Sequence, residues 1–182
     1  MERTTAEAVE AAGRRIRPRR GLAVTEDEYL RIALAEHGGH WELWDGRLVR
    51  KPDMTFAHNE ISWKFGVSLY SQVDHAAFTC RTNAGHAHHS DRNYYVPDVM
   101  IIPIGYTLPL RSRQDLLEAY PDPLPLVLEV WSRSTGRYDV HEKLGRYRQP
   151  DGSYSETLFD GDTIQPVALA GVTIDLDALF DV

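Results

Sequence analysis

The segment Leu126-Val127-Leu128-Glu129-Val130-Trp131 constrains the fold most tightly, because it sets one carboxylate among five apolar side chains. A short run this apolar reads as a strand covered on both faces. An isolated charge buried there would cost several kcal/mol, so Glu129 must be paired, protonated or bound to a metal. A strand end lying against a nearby Arg or Lys meets the same demand. The segment alone leaves both readings open.

With 182 residues, 42% of them hydrophobic, the chain can build one core. The net charge of -7 is unevenly spread. Residues 1–20 hold six Arg against three Glu, which leaves 14 basic and 24 acidic residues for 21–182. We read residues 1–20 as a disordered basic arm, either a phosphate-touching tail or a solubilising extension, and 21–182 as a single domain. An acidic body argues against broad nucleic-acid binding but leaves room for a local basic groove. The lone Cys80 rules out an internal disulfide and suits a reducing cytoplasm. No apolar run reaches membrane-spanning length and residues 1–20 lack a signal-peptide core, so no membrane partner is expected.

Thr25 and Glu28 have the spacing of a capping box for a helix near 25–36, stopped by Gly38-Gly39. Asp45-Gly46 lies between two alternating runs at 41–49 and predicts a hairpin. Ile61, Phe65, Leu69 and Val73 recur every four residues and predict a helix over about 55–73. Strands are expected near 77–82, 86–90 and 94–102. A long Pro-containing connection over 103–125, the opening segment, a loop at 132–136 and a helix near 138–148 follow. Asp-Gly turns at 151–152 and 160–161 precede an amphipathic ending at 174–180. Strands interleaved with helices indicate a mixed α/β sandwich.

Three features carry chemistry. Pro97-Asp98-Val99 puts an acid at the mouth of an apolar strand, and Glu129 lies inside the next strand. Lys143 shares a helical face with Asp139 four residues before it. Two carboxylates on adjacent strands suit a hard cation such as Mg²⁺, which can activate a water and neutralise a phosphate. An ammonium beside them would stabilise developing negative charge. Any mixed sheet offers acidic strand ends, so spacing alone does not choose. His86 and His88 share a strand face as a two-histidine metal contact would. Ser132 and Ser134 read as loop hydroxyls, and the aromatic residues at 41, 44, 63, 94 and 95 as packing.

The ordered set resembles the PD-(D/E)xK nuclease superfamily, in particular its Uma-two branch of bacterial restriction-endonuclease-like proteins. The matching pieces are "WELWDGRLV" at 41–49, His58 in "FAHNEIS", "PDV" at 97–99, "EVWS" at 129–132, then Asp139, Lys143 and Tyr147. The resemblance runs from about residue 22 to 148. It implies a restriction-endonuclease-like mixed central sheet flanked by helices, with an N-terminal helix and hairpin.

The same resemblance implies Mg²⁺-dependent hydrolysis of DNA phosphodiester bonds, with Mn²⁺ as a substitute metal, and DNA and a second copy of the chain as partners. Asp98 and Glu129 would hold the metal and Lys143 would be the catalytic lysine, since Trp131 stands where the plain motif has lysine. Asp139 would orient Lys143, and Glu42 would complete the metal sphere unless it is simply an exposed strand residue. His58 is read rather as a helix-capping or surface residue than as part of the cleft. After Gln149 a strand of the relatives is missing or replaced by Thr157-Leu158-Phe159. A non-catalytic module that keeps the fold is therefore the rival reading.

Overall fold

A computed structural model of the chain describes residues 21–35, 40–130, 143 and 163–180. The basic arm, the loop at 132–136, Asp139 and the helix near 138–148 apart from Lys143 lie outside the described residues, as do both late Asp-Gly turns and Thr157-Leu158-Phe159. After β1 (Leu22–Ala23), Thr25 opens helix α1 (Glu26–Ala35) through the reciprocal cap its spacing predicts. The Thr25 N–H donates to the Glu28 carboxylate at 2.8 Å, and the Glu28 N–H donates to the Thr25 hydroxyl at 3.3 Å. Strands β2 (Trp41–Trp44) and β3 (Arg47–Arg50) form the expected hairpin. Asp45 (φ 51°) and Gly46 (φ 74°) both take the left-handed conformation that a two-residue hairpin turn requires.

Helix α2 (Phe56–Gln72) starts at Thr55, whose hydroxyl accepts the His58 N–H. Strands β4 (Phe78–Thr82) and β5 (His86–Ser90) follow as predicted. The single strand expected over 94–102 is two, β6 (Asn93–Tyr95) and β7 (Val99–Pro103). Pro97 offers no N–H to a ladder, so a continuous central strand through it would lose a hydrogen bond. The chain therefore leaves one sheet and enters another across Val96-Pro97-Asp98.

The long connection holds α3 (Ile104–Thr107) and β8 (Ala119–Tyr120), ahead of β9 (Leu126–Leu128). The described tail contains β10 (Thr163–Ile164), β11 (Ile174–Asp175) and α4 (Leu176–Phe180).

The fold is mixed α/β, as expected. Six strands form one sheet in the order β1-β3-β2-β6-β5-β8, antiparallel except for the parallel β5–β8 pair. A second sheet is β4-β7-β9, with β7 central, and β10-β11 form a small third. Alternation along β7 explains the density of Val99-Met100-Ile101-Ile102, all fully buried. Val99 and Ile101 pack with Phe65 and Leu69 of α2 and with Leu169, Val172 and Ile174 of the tail. Met100 and Ile102 pack with Tyr120 in a separate cluster. The tail is also tied to α2 by polar bonds: the Gln72 amide donates to Thr173 O and accepts from Thr173 N–H, both at 2.9 Å.

Helix α2 is apolar on two faces. Its buried residues are His58, Ser62, Phe65, Gly66 and Leu69, whereas Phe56, Trp63, Val67 and Tyr70 form an exposed stripe. Gly66 is where α2 crosses β4, and a Cβ there would overlap the Thr82 methyl. In an exposed helix, Gly→Ala stabilises by about 0.5–1 kcal/mol. Here we expect Gly66→Ala to destabilise by about 1–3 kcal/mol through overpacking, seen as a lower urea midpoint with unchanged slope.

Candidate active site

The β7–β9 ladder pairs Val99 with Leu128, and one step outward this register sets Asp98 opposite Glu129. Both strands end there. The Val130 N–H donates to Asp98 Oδ2 at 2.7 Å, and His58 Nε2 meets the same oxygen at 3.1 Å. Lys51, just past the end of β3, donates to Asp98 Oδ1 at 2.7 Å, to Val96 O at 2.8 Å and to Asn83 Oδ1 at 3.2 Å. Three acceptors use all three protons of its ammonium.

Glu42 approaches from the other sheet. Leu43 packs against Tyr29 and Tyr94 beneath α1, so alternation along β2 turns Glu42 to the opposite face. Its Oε1 accepts the Val96 N–H at 2.9 Å and lies 2.9 Å from Lys143 Nζ. Lys143 Nζ is also 3.3 Å from Glu129 Oε1. The contacts close a ring, running Asp98, Lys51, Val96, Glu42, Lys143, Glu129, Val130 and back to Asp98. Glu42, Asp98 and Lys143 are at most 1% exposed.

Burial alone would raise the carboxyl pKa values in this ring. For Asp98, the His58 hydrogen bond and the Lys51 ammonium outweigh burial and hold it down at about 2. For Glu42, the Lys143 and Lys51 charges and the Val96 N–H likewise outweigh burial and keep it below the usual range. Both acids are therefore ionised. Glu129 is not inside a strand covered on both faces, as its segment suggested: β9 stops at Leu128, its three residues are half-buried, and the Glu129 carboxylate just beyond it is accounted for by Lys143.

Four sequence-predicted residues meet in the ring: Asp98, Glu129, Lys143 and Glu42. Glu42 is not an exposed strand residue; it is fully buried. His58 is not a cap or surface residue either. Thr55 caps the helix, and the His58 ring reaches Asp98 with Ser62 Oγ 3.4 Å from its Nδ1. Its signal was its place on the Ser62–Phe65–Leu69 face of α2. Lys51 was missed altogether. The hairpin register pairs Glu42 with Val49, and alternation puts Lys51 on that same face. Asp139 lies outside the described residues.

His86 turns its ring nitrogens to main-chain carbonyls, with Nδ1 3.1 Å from Glu118 O and Nε2 3.3 Å from Trp41 O. His88 stacks on Tyr94 at 4.1 Å. Among the described residues no three His, Cys, Asp or Glu side chains gather as a ready metal cage. The ring acids alternate with ammonium groups instead. Asp98 and Glu129 nevertheless supply hard oxygen donors on adjoining strands. That chemistry fits Mg²⁺, which needs only one or two carboxylates and keeps several waters.

A family model, Uma2, described as "Putative restriction endonuclease", matches residues 26–165. The fold is similar to the crystal structure of a "putative nuclease belonging to DUF820" from Anabaena variabilis, with a TM-score of 0.67 and 16% identity over 86% of this chain and 97% of that one. No curated protein matches the chain.

Removing one partner of a buried ion pair costs about 3–5 kcal/mol, so Lys51→Met should be strongly destabilising at neutral pH. The Asp98 carboxyl is depressed to about 2 in the fold, against about 3.9 in an unfolded chain. Its contribution is therefore full above about pH 4 and is lost as pH falls towards 2. Urea midpoints of the wild type and Lys51→Met, measured at falling pH, should converge across that window.

Proposed function

The chain belongs to the Uma2 family, and from that membership and the acid–lysine ring we propose a metal-dependent endonuclease that hydrolyses DNA phosphodiester bonds. The observation that carries this reading is the Lys143 ammonium, 2.9 Å from Glu42 and 3.3 Å from Glu129, beside the strand end that bears Asp98. Asp98 and Glu129 would hold Mg²⁺, with Mn²⁺ as a substitute and Glu42 as a further acidic group. When bound, such an ion lowers the pKa of a water and neutralises phosphate charge.

The chain's own residues prepare the rest. Lys143, held by two carboxylates, would stabilise negative charge growing on a phosphoryl oxygen. Its release towards substrate leaves Glu42 anchored by the Val96 N–H. Lys51 and His58 fix both oxygens of Asp98, which keeps that carboxylate ionised and oriented. Asp139, at helical spacing before Lys143, would position the lysine.

One observation favours the rival, a module that keeps the fold without activity: Asp98, Glu42 and Glu129 each already face a lysine. Plasmid DNA, single-stranded DNA and RNA assayed with Mg²⁺ separate the two. The nuclease reading expects plasmid cleavage that falls on the order of 100-fold or more in Asp98→Asn, Glu129→Gln and Lys143→Ala. It also expects Mg²⁺ binding heat that Asp98→Asn and Glu129→Gln abolish. Intact substrates together with no Mg²⁺ heat would establish the module.

Cutting both strands of a duplex takes two sites, and the exposed Phe56–Trp63–Val67–Tyr70 stripe of α2 has the apolar character of a contact between two copies. Sedimentation velocity should give a dimer for the wild type and a monomer for Trp63→Glu.

A further inference from the structure

Among the described residues, guanidinium groups gather beside β4. Arg81, Arg111 and Arg113 line an open pocket of about 300 Å³. It lies on the β4-β7-β9 face that carries Met100 and Ile102, because Arg81 and Thr79 of β4 pair across the ladder with those two residues. Tyr120, packed on Met100 and Ile102, forms its floor.

The acids near the pocket are already engaged. Glu118 Oε1 accepts from Arg81 Nε at 2.7 Å and from the Tyr120 hydroxyl at 2.5 Å. Asp115 is held by Nε and Nη2 of Arg113 at 2.8 and 2.7 Å. Arg81 Nη1 donates to Thr79 Oγ1 and Cys80 O, which fixes the plane of its guanidinium. Arg111 is different. Its Nε is 3.4 Å from Thr107 Oγ1, and no carboxylate pairs with it among the described residues. Among the described residues the pocket thus holds Arg111 without a carboxylate partner, beside Arg81 and Arg113, whose acid-facing edges are taken and whose remaining N–H groups stay available to a phosphate oxygen.

β4 also links the pocket to the ring. Arg81 is two residues before Asn83, whose side chain accepts from Lys51 and whose N–H donates to Asp98 O at 2.8 Å. Two residues of extended chain span about 7 Å. We infer that the Arg81–Arg111–Arg113 pocket seats a backbone phosphate of a nucleic-acid strand, next to the phosphate that reaches Asp98 and Glu129. This inference rests on the nuclease reading for the identity of the strand.

The test is fluorescence anisotropy of a labelled DNA duplex with the full chain, in chelator so that nothing is cut, over a series of salt concentrations. Arg111→Gln/Arg113→Gln is compared with the wild type and with Lys64→Gln, which removes one charge from α2. We expect the double variant to bind about tenfold more weakly. Its log–log salt slope should become shallower by about 0.9 for each phosphate that is no longer neutralised, with Lys64→Gln unchanged. Calorimetry with inorganic phosphate is the second arm.

An unchanged affinity and slope, or no duplex binding by the wild type, overturns the inference. Phosphate binding that the double variant loses while duplex binding persists also overturns it, and assigns the pocket to free phosphate. Weakened duplex binding in a protein that never cleaves DNA keeps the pocket and removes the nuclease reading. Normal cleavage with the variant indifferent does the reverse.

Discussion

Six ionisable side chains drawn out of water in one place form the constraint to which the rest of this structure answers. Each ion loses several kcal/mol of hydration, and only short, well-directed pairs compensate. Glu42, Lys51, His58, Asp98, Glu129 and Lys143 come from separate segments, so the topology must make them converge. The break at Val96-Pro97-Asp98 is what permits it. Were 94–102 one continuous strand, the Val96 N–H and carbonyl would be committed to a ladder. Outside both ladders, they meet Glu42 on one side and Lys51 on the other. A proline that looks like punctuation in the sequence is thus part of the polar circuit.

Charge balance explains why such a ring can be both stable and usable. Among the described residues three carboxylates face two ammoniums and one imidazole, so the set is close to neutral without being rigidly matched. Under the proposed function, an arriving divalent ion adds two positive charges and a phosphodiester brings one negative. The lysines need only loosen for the sum to stay small. Apolar residues of similar volume would often stabilise a core as well as buried ion pairs do or better. Packing energy therefore gives no reason for this ring, whereas the proposed chemistry at a phosphate would.

Local signals carried most of the fold. The Thr25–Glu28 cap, the Asp45-Gly46 turn and the apolar face of α2 each depend on neighbours in sequence, and each sits where its spacing puts it. Asp98 and Glu129 were legible for a related reason, since an acid in an apolar strand is conspicuous. Lys51 was not, because its role depends on a hairpin register and on an acid 47 residues away. His58 was misread because a histidine near a helix start looks like a surface group until its face is compared with Phe65 and Leu69. The division of strands between two sheets was equally hidden: Pro97 marks an interruption, but periodicity does not say which sheet each half joins.

The whole-chain charge also misleads when read as an average. Part of the negative count is locked in the ring and in pairs such as Arg113–Asp115, where it projects little field. Salt at physiological strength screens exposed charges within about 8 Å, so an incoming polyanion responds to the nearest groups and not to the total of -7. Beside β4 those groups are guanidiniums, one of them without a carboxylate partner among the described residues. An acidic protein can therefore present a basic face to a phosphate backbone, provided its acids are first neutralised by cations of its own. Here the ring does this, and the same pairing that makes a carboxylate tolerable inside Leu126–Trp131 also removes it from the field a substrate would meet.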